Sequence, residues 1–170
     1  MFKKIFLLTV FLGSFLFANA QRTAVIDVNA ILESMSEYKN AQAELEKLAK
    51  QWRQEISKEQ DKLKAMYNEY EAESVLMTEE MKKQKEDEIM EKEKQIRELQ
   101  RAYFGPKGEL FQKRQELIQP IEDKIFAAIT EYSNERGYDI ILDRSSGPGI
   151  LFVNEKYDKT EDIKKKLGLK

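Results

Sequence analysis

The sequence contains neither cysteine nor histidine among its 170 residues. Without them the chain can form no disulfide, no Cys–His or Ser–His–Asp nucleophile, and no zinc or haem site that depends on thiolate or imidazole ligands. These absences remove the commonest routes to enzymatic catalysis. We therefore expect a protein that is not an enzyme, with no catalytic residue, no metal ligand and no cofactor.

An excess of basic charge is also missing. The 29 lysine and arginine residues are outnumbered by 31 aspartate and glutamate residues, which gives a net charge of −2. A general nucleic-acid-binding protein needs a basic surface to displace counterions from phosphates. The charge balance therefore predicts that nucleic acid is not a partner.

Glycine and proline are scarce, with seven and three residues respectively, and neither occurs between Gly13 and Gly105. These two residues are the usual helix breakers, so the long interval between them favours uninterrupted helix. Nearly half of the residues from 37 to 100 are charged, with 13 basic and 17 acidic side chains. This composition is typical of coiled coils.

The first twenty residues have the layout of a secretory signal peptide. Lys3 and Lys4 precede an apolar run at residues 5–17, and the small residues Ala18 and Ala20 form a cleavage site. The apolar run is shorter than the roughly 20 residues that cross a membrane. We expect cleavage after Ala20, a location outside the cytoplasm and no transmembrane segment in the mature chain; an uncleaved signal anchor is the alternative.

Two apolar stripes predict a pair of long amphipathic helices. In each stripe apolar residues recur every three or four positions, as on a helix with one buried face. Thr78, which is followed by two glutamates, can cap the second helix. We therefore predict an antiparallel hairpin whose helices span residues 34–75 and 79–136, with a single continuous rod as the alternative.

The second helix of this hairpin should be kinked at two places. Residues 105–108 (GPKG) and Pro120 both introduce proline, which lacks a backbone donor and clashes with the preceding turn.

Trp52 and Ile56 are expected in the seam between the helices. The stripes consist of Tyr38, Ala41, Leu45, Leu48, Trp52, Ile56, Leu63, Tyr67 and Tyr70, and of Ile89, Ile96, Leu99, Tyr103, Leu110, Leu117, Ile121, Ile125, Ile129 and Tyr132.

The ends of the mature chain carry short strand-like runs instead. Residues 23–28 (TAVIDV), 138–143 (YDIILD) and 150–153 (ILFV) predict three strands, the last two joined by a turn-rich loop. Gly137 is placed to end the second long helix. A short helix is predicted over residues 160–167, with Asp158 or Thr160 as its cap.

These patterns predict an α+β fold, with a small β body and a long projecting antiparallel α-helical coiled-coil hairpin. We expect a signal peptide at 1–20, a β-rich oligomerisation body at 21–33 and 137–170, and a helical arm at 34–136. A body of about 50 residues buries too little surface alone, and strands that are apolar on both faces need cover on both sides. We therefore predict a homo-oligomer. The expected oligomerisation residues are Val25, Ile26, Val28, Ile140, Ile141, Leu142, Ile150, Leu151 and Phe152.

Three segments carry a resemblance to a known family. AVIDVNAIL at 24–32, GYDIILD at 137–143 and KYDKTEDIKKKL at 156–167, set around a charged coiled coil, resemble the Skp/OmpH family of periplasmic chaperones. The resemblance implies a Skp-like homotrimer whose three helical arms enclose a cavity. The best-known members are strongly basic, whereas this chain is acidic. No basic cluster matches position by position, so no lipopolysaccharide-binding residue is assigned.

The family resemblance also implies a function. We expect an ATP-independent holdase that binds unfolded outer-membrane proteins in the cavity and prevents their aggregation. The expected partners are these unfolded clients, sister copies of the chain, and the outer-membrane assembly machinery. A structural coiled-coil adaptor or scaffold of the cell envelope is the alternative.

Client contacts are expected at the tip of the hairpin. The apolar residues there cannot all be buried within a two-helix arm, and flexible methionine side chains can repack against many partners. The alternative is that these residues only close the end of the hairpin. The predicted client-binding residues are Tyr67, Tyr70, Val75, Leu76, Met77 and Met81.

Asp27, Asp139 and Asp143 lie near the ends of predicted strands, where three carboxylates could in principle gather around a cation. Carboxylates in such places more often accept hydrogen bonds in turns and helix caps. The loop at 144–149 lacks the Lys-Ser/Thr ending of a phosphate-binding loop. We therefore predict neither a metal site nor a phosphate site.

Overall fold

The structure, a computed structural model, describes residues 21–147 and 149–169. The predicted signal peptide lies outside these residues, as does its predicted cleavage point after Ala20. The chain divides into two units. The body unit comprises the described residues up to 34 and from 125 onward, and the arm unit comprises residues 35–124.

The body unit contains a small parallel sheet. Strands β1 (Thr23–Ile26) and β2 (Ile140–Asp143) pair in parallel, with their first residues opposite each other. On the other edge of β1, the Val25 N–H donates to the Tyr157 carbonyl at 2.9 Å, and the Lys159 N–H donates to the Val25 carbonyl at 2.8 Å. Both edges of β1 are therefore hydrogen-bonded, which makes it the central strand of the body unit.

β1 ends two residues earlier than expected, because Asp27 caps a helix that the strand pattern had concealed. The Asp27 Oδ1 accepts a hydrogen bond from the Ala30 N–H at 2.8 Å, as a helix-capping carboxylate does. Helix α1 (Val28–Ser34) follows at once. The prediction that Val28 belongs to a strand was therefore wrong, since Val28 is the first residue of α1.

The predicted strand at residues 150–153 was also wrong. These residues form no strand, and Leu151 and Phe152 are 94% and 83% exposed. A strand needs a hydrogen-bonding neighbour. Both edges of β1 are already occupied, by β2 and by the segment around Asp158, and residues 150–153 do not pair with the other edge of β2.

The C-terminal helix forms close to where it was predicted, as α5 (Thr160–Lys166). Asp158 assists its start, because its Oδ1 accepts from the Thr160 N–H at 2.9 Å, although the capping position itself is Lys159. The Tyr132 hydroxyl donates to the Asp162 carboxylate at 2.8 Å. Burial, then this hydrogen bond, raises the pKa of Tyr132 well above its usual value. Ile163 is fully buried, so α5 is a packed part of the body unit.

The arm unit is built from long helices that run antiparallel. The first is α2 (Ser36–Glu73), and the chain returns through α3 (Glu79–Phe104) and α4 (Glu109–Arg136). The part of α4 from residue 125 onward belongs to the body unit. Cross-helix contacts pair later residues of α2 with earlier residues of α3. They are Tyr70–Glu86, Tyr67–Glu93, Glu59–Lys92 and Glu55–Tyr103. This order confirms the hairpin and excludes a single continuous rod.

The two predicted stripes form the inner faces of the helices. Every stripe residue is buried or half-buried except Tyr67, which is 39% exposed. Thr78 caps α3 as predicted, since its hydroxyl accepts from the Met81 N–H at 3.3 Å. Gly137, at the end of α4, has φ +66°, a left-handed conformation that favours glycine.

At residues 105–108, where a kink was predicted, the return helix is interrupted. α4 continues through Pro120, and the kink there stays a prediction. At Gly105, an added Cβ would lie 2.4 Å from the carbonyl oxygen of Arg101. At Gly108, it would lie 2.7 Å from the carbonyl oxygen of Ala102. Both obstacles are backbone atoms, so the break requires glycine at both positions.

The Gly105→Ala substitution should therefore destabilise the arm unit. We expect a loss of about 1–3 kcal/mol in the free energy of unfolding, since the backbone must shift to relieve the clash. Urea unfolding, followed by circular dichroism, measures this loss in the free energy of unfolding. Gly149→Ala is the control, because nothing lies within 4 Å of a Cβ added there. Equal stability of the two variants would contradict this account of the break.

Candidate functional site

The chain reverses direction between α2 and α3 at an apolar tip. A single 3-10 turn at Ser74–Leu76 makes the reversal, and the capped start of α3 follows. Val75 and Leu76 are each 89% exposed, and Met81 is 51% exposed. With the half-buried Met77, these three residues form what we call the tip cluster. Most of the apolar surface of Val75 and Leu76 is therefore not used to close the end of the hairpin.

The two predicted tyrosines have a different environment. The Tyr67 hydroxyl donates to the Glu93 carboxylate at 2.5 Å, and the Tyr70 hydroxyl donates to Glu86. In each case the hydrogen bond to the carboxylate is the main cause that raises the pKa of the tyrosine. Both hydroxyls therefore tie α2 to α3. Client contact by the tyrosine rings stays a prediction.

Acidic side chains surround the tip cluster. Glu71, Glu73, Glu79 and Glu80 are all exposed. Lys82 donates to Glu79 at 2.8 Å, and this hydrogen bond lowers the pKa of the Glu79 carboxyl. The like charges oppose association between two tips. An uncharged apolar segment from another protein meets no such repulsion.

A second exposed apolar surface lies on the body unit. Ile140 and Leu142 alternate along β2 and are 43% and 44% exposed, while Ile141 is half-buried on the opposite face. Leu151 and Phe152 are the most exposed large apolar residues of the body unit among those described. One edge of β2 pairs with β1, and within the described chain no strand occupies the other edge.

The remaining predicted oligomerisation residues are less accessible. Val25 and Ile26 are 8% and 2% exposed, so their side chains belong to the interior of the body unit. Val28 and Ile150 are half-buried. The strand pattern alone could not separate residues that face the interior from residues that face outward.

One arginine ties together the pieces of the body unit. Arg144 donates from Nε to Asp27 at 3.0 Å and from Nη1 to Asp158 at 2.9 Å. It thereby joins the cap of α1 to the segment that pairs with β1. Burial by itself raises the pKa of the Asp158 carboxyl. Hydrogen bonds from Thr160 and the charge of Arg144 lower this pKa by more than burial raises it, so the net shift is downward.

The strand-end carboxylates that could have held a cation are used as hydrogen-bond acceptors. Asp139 accepts from the Arg22 N–H at 2.8 Å. Asp143 accepts from the backbone N–H groups of Val28 at 3.2 Å and Ser145 at 2.9 Å. Across residues 21–147 and 149–169, no group of three potential ligands is placed to hold a metal ion.

Sequence reasoning missed two features. Arg144 lies in a loop, and no local pattern marked it as a bridge between distant carboxylates. An aromatic cluster of Trp52, Tyr103 and Phe104 lies beside the break in the return helix. The Gly-Pro step immediately after Phe104 was the signal that could have located this cluster.

In the part of the chain that the structure describes, no helix combines the length and the apolar character needed to cross a membrane.

Comparison with known proteins finds a matching family and a similar fold. The family model described as outer membrane protein (OmpH-like) matches residues 22–167. The fold is similar to that in the crystal structure of a candidate outer membrane chaperone (OmpH-like) from Caulobacter crescentus, with a TM-score of 0.65 and 14% sequence identity. That similarity covers 85% of this chain and 82% of the other. Among curated proteins there is no match.

Replacing Arg144 by glutamine should destabilise the body unit in a pH-dependent way. A depressed carboxylate pKa contributes stability above the unfolded pKa, and that stability is lost as the pH falls through the folded pKa. We expect a loss of about 1–2 kcal/mol at pH 7. The loss should be smaller at pH 3, which lies below the ordinary aspartate pKa, because the stability contributed by the lowered pKa of Asp158 declines as the pH falls.

Urea unfolding at the two pH values measures this difference. Lys47→Gln removes one positive charge from an exposed lysine that takes part in no ion pair within the described residues. It should leave stability nearly unchanged at both pH values. A loss for Arg144→Gln that is the same at pH 3 as at pH 7 would contradict the role assigned to Asp158.

Proposed function

The chain belongs to the OmpH-like family, and from this premise we propose that it is a chaperone of the cell envelope. It holds unfolded outer-membrane proteins without ATP and keeps them from aggregating, and it performs no catalysis. Aggregation of β-barrel clients proceeds through pairing of exposed strand edges on different chains. A chaperone that sequesters one client at a time prevents those encounters.

The observation that carries this proposal is the tip cluster. Three apolar side chains at the end of a long charged hairpin have half or more of their surface exposed. Apolar segments of an unfolded client leave water when they contact such a cluster. The methionines suit clients of varied sequence because their side chains repack easily.

A periplasmic homotrimer is the second part of the proposal. The exposed residues Ile140, Leu142, Leu151 and Phe152, together with the unpaired edge of β2, support association between body units of sister copies. In such an assembly the arms of neighbouring copies enclose the client. Delivery would then proceed to the outer-membrane assembly machinery.

The solvent-facing side of α2 favours this function over a scaffold or adaptor. Within residues 36–66, all of which the structure describes, no large apolar side chain is exposed. An adaptor that docks on another coiled coil needs a sustained apolar stripe on an outward face. The outward face of α2 is charged and solvated instead.

Replacing Leu76, Met77 and Met81 together by serine should weaken client holding without disturbing the hairpin. The test is refolding of an unfolded outer-membrane β-barrel by dilution, followed by light scattering. We expect the chaperone concentration for half-suppression of aggregation to rise roughly tenfold, from the lost apolar contact area. Met90→Ser, at a methionine that is 63% exposed away from the tip, is the control. Unchanged suppression by the triple variant would contradict the role of the tip.

Leu142→Lys should weaken assembly, since it places a charge on the exposed apolar face of β2. Because Leu142 is 44% exposed, the substitution is compatible with the folded single chain, and Met90→Lys is the matched control. Sedimentation equilibrium should give a trimer mass for the mature wild type and the control, and a lower mass for Leu142→Lys. A wild type that is a folded monomer at micromolar concentration would contradict the assembly.

A further inference from the structure

Three adjoining surface grooves of the arm unit share one wall, the half-buried ring of Phe104. They lie around the break between α3 and α4, with volumes of about 600, 340 and 510 Å³. The 340 Å³ groove is the most apolar. It is lined by Leu45, Ala49, Phe104, Leu110 and Phe111, with Glu46 and Arg114 at its rim.

The break in the return helix creates this surface. α3 ends at Phe104 and α4 begins at Glu109, and glycine is required at both Gly105 and Gly108. If the return helix were unbroken, the apolar side chains around residues 104–111 would pack in one regular stripe. Here Phe111 remains 45% exposed beside Phe104.

The shared wall is held firmly in place. Trp52 stacks on Tyr103 with ring centroids 4.8 Å apart and an interplanar angle of 11°. Phe104 meets the edge of Trp52 at 6.3 Å, and the Arg53 guanidinium lies over the Phe104 ring at 5.8 Å. A contact surface fixed in this way loses little side-chain entropy when a ligand binds.

The charge of this region is opposite to that of the chain. Residues 101–114 contain four basic residues and one acidic residue, in a protein whose net charge is −2. Arg53, Arg101 and Arg114 form no ion pair within the described residues. The three grooves together carry five cationic residues and two acidic ones. The cations are Lys94, Arg97, Arg101, Arg53 and Arg114, and the acids are Glu98 and Glu46. Two of these cations are paired with acids outside the grooves, Lys94 with Glu91 at 3.9 Å and Arg97 with Glu93 at 3.4 Å.

We propose that the grooves around Phe104 form a second client-contact site, for an extended segment of unfolded polypeptide in which a bulky apolar side chain lies next to acidic residues. The apolar groove takes the bulky side chain, and its volume is at the small end of the range for ligand pockets. The surrounding arginines contact the neighbouring carboxylates. An extended chain can cross adjoining grooves, whereas a compact anion would fill only one. This inference rests on the proposed holdase function. It names the kind of client segment that the chaperone selects.

The single tryptophan of the chain supplies the assay. Trp52 lies against Phe104, so occupation of the grooves should change its fluorescence. The mature chain is titrated with a short peptide that lacks tryptophan and alternates phenylalanine with aspartate. Two comparison peptides replace either every aspartate by lysine or every phenylalanine by serine. Only the first peptide should produce a saturable change in Trp52 emission.

Variants of the arginines around the grooves and of the apolar groove itself show where the peptide binds. Arg101→Gln with Arg114→Gln should weaken binding of the acidic aromatic peptide roughly tenfold, since two exposed charge contacts are lost. Phe111→Ser should weaken it roughly fivefold through lost apolar area. The matched control, Lys64→Gln with Lys83→Gln, removes the same charge from exposed positions elsewhere on the arm and should change the affinity less than about twofold.

Several results would overturn the inference. Equal affinity of the rim variant and its control would do so, as would equal binding of the lysine-containing peptide. A Trp52 change that follows protein concentration alone would assign the grooves to a second copy of this chain. Binding to anionic phospholipid vesicles without binding to the peptide would assign them to a lipid headgroup.

Failure of this inference differs from failure of the proposed function. If the wild type suppresses aggregation of an unfolded β-barrel but does not bind the acidic aromatic peptide, the second site is excluded and the holdase function stands. If the wild type does not suppress aggregation, the proposed function is contradicted whatever the peptide binds.

Discussion

Parallel pairing between β1 and β2 is the constraint on which the rest of the body unit depends. The two strands belong to segments separated by more than a hundred residues, and parallel strands cannot be joined by a tight turn. The chain must therefore leave β1, make a long excursion and return to the same end of the sheet. The excursion in this protein consists of helices, and Arg144 reinforces the closure by bridging Asp27 and Asp158.

Within the arm unit, the apolar surface is divided between two tasks. The stripe residues close the seam between antiparallel helices, helped by hydrogen bonds such as that from Tyr103 to Glu55 at 2.9 Å. The tip cluster lies beyond that seam, and the apolar groove at Phe104 is lined partly by the stripe residues Leu45 and Leu110. One is exposed because the chain reverses there, and the other because Gly105 and Gly108 interrupt the return helix. Both surfaces are products of breaks in a regular pattern.

Predictions from sequence succeeded where the signal was local. The helical stripes, the Thr78 cap and the interruption at residues 105–108 depend on neighbours a few positions away, and the structure confirms them. The predictions failed at Val28 and at residues 150–153, where apolar β-branched or aromatic runs are equally compatible with other structures. At the tip, the sequence indicated which apolar residues lack a packing partner. It did not reveal that the Tyr67 hydroxyl donates to Glu93 and the Tyr70 hydroxyl to Glu86.

The sequence by itself determined the length and the inner face of each long helix, because helical periodicity is a property of consecutive residues. It also determined the interruption at residues 105–108, through the backbone chemistry of glycine and proline. Only the tertiary structure decided which segments flank β1, which carboxylates Arg144 joins and which aromatic rings meet beside the break. Those outcomes depend on contacts between residues far apart in the chain, and no local pattern encodes such contacts.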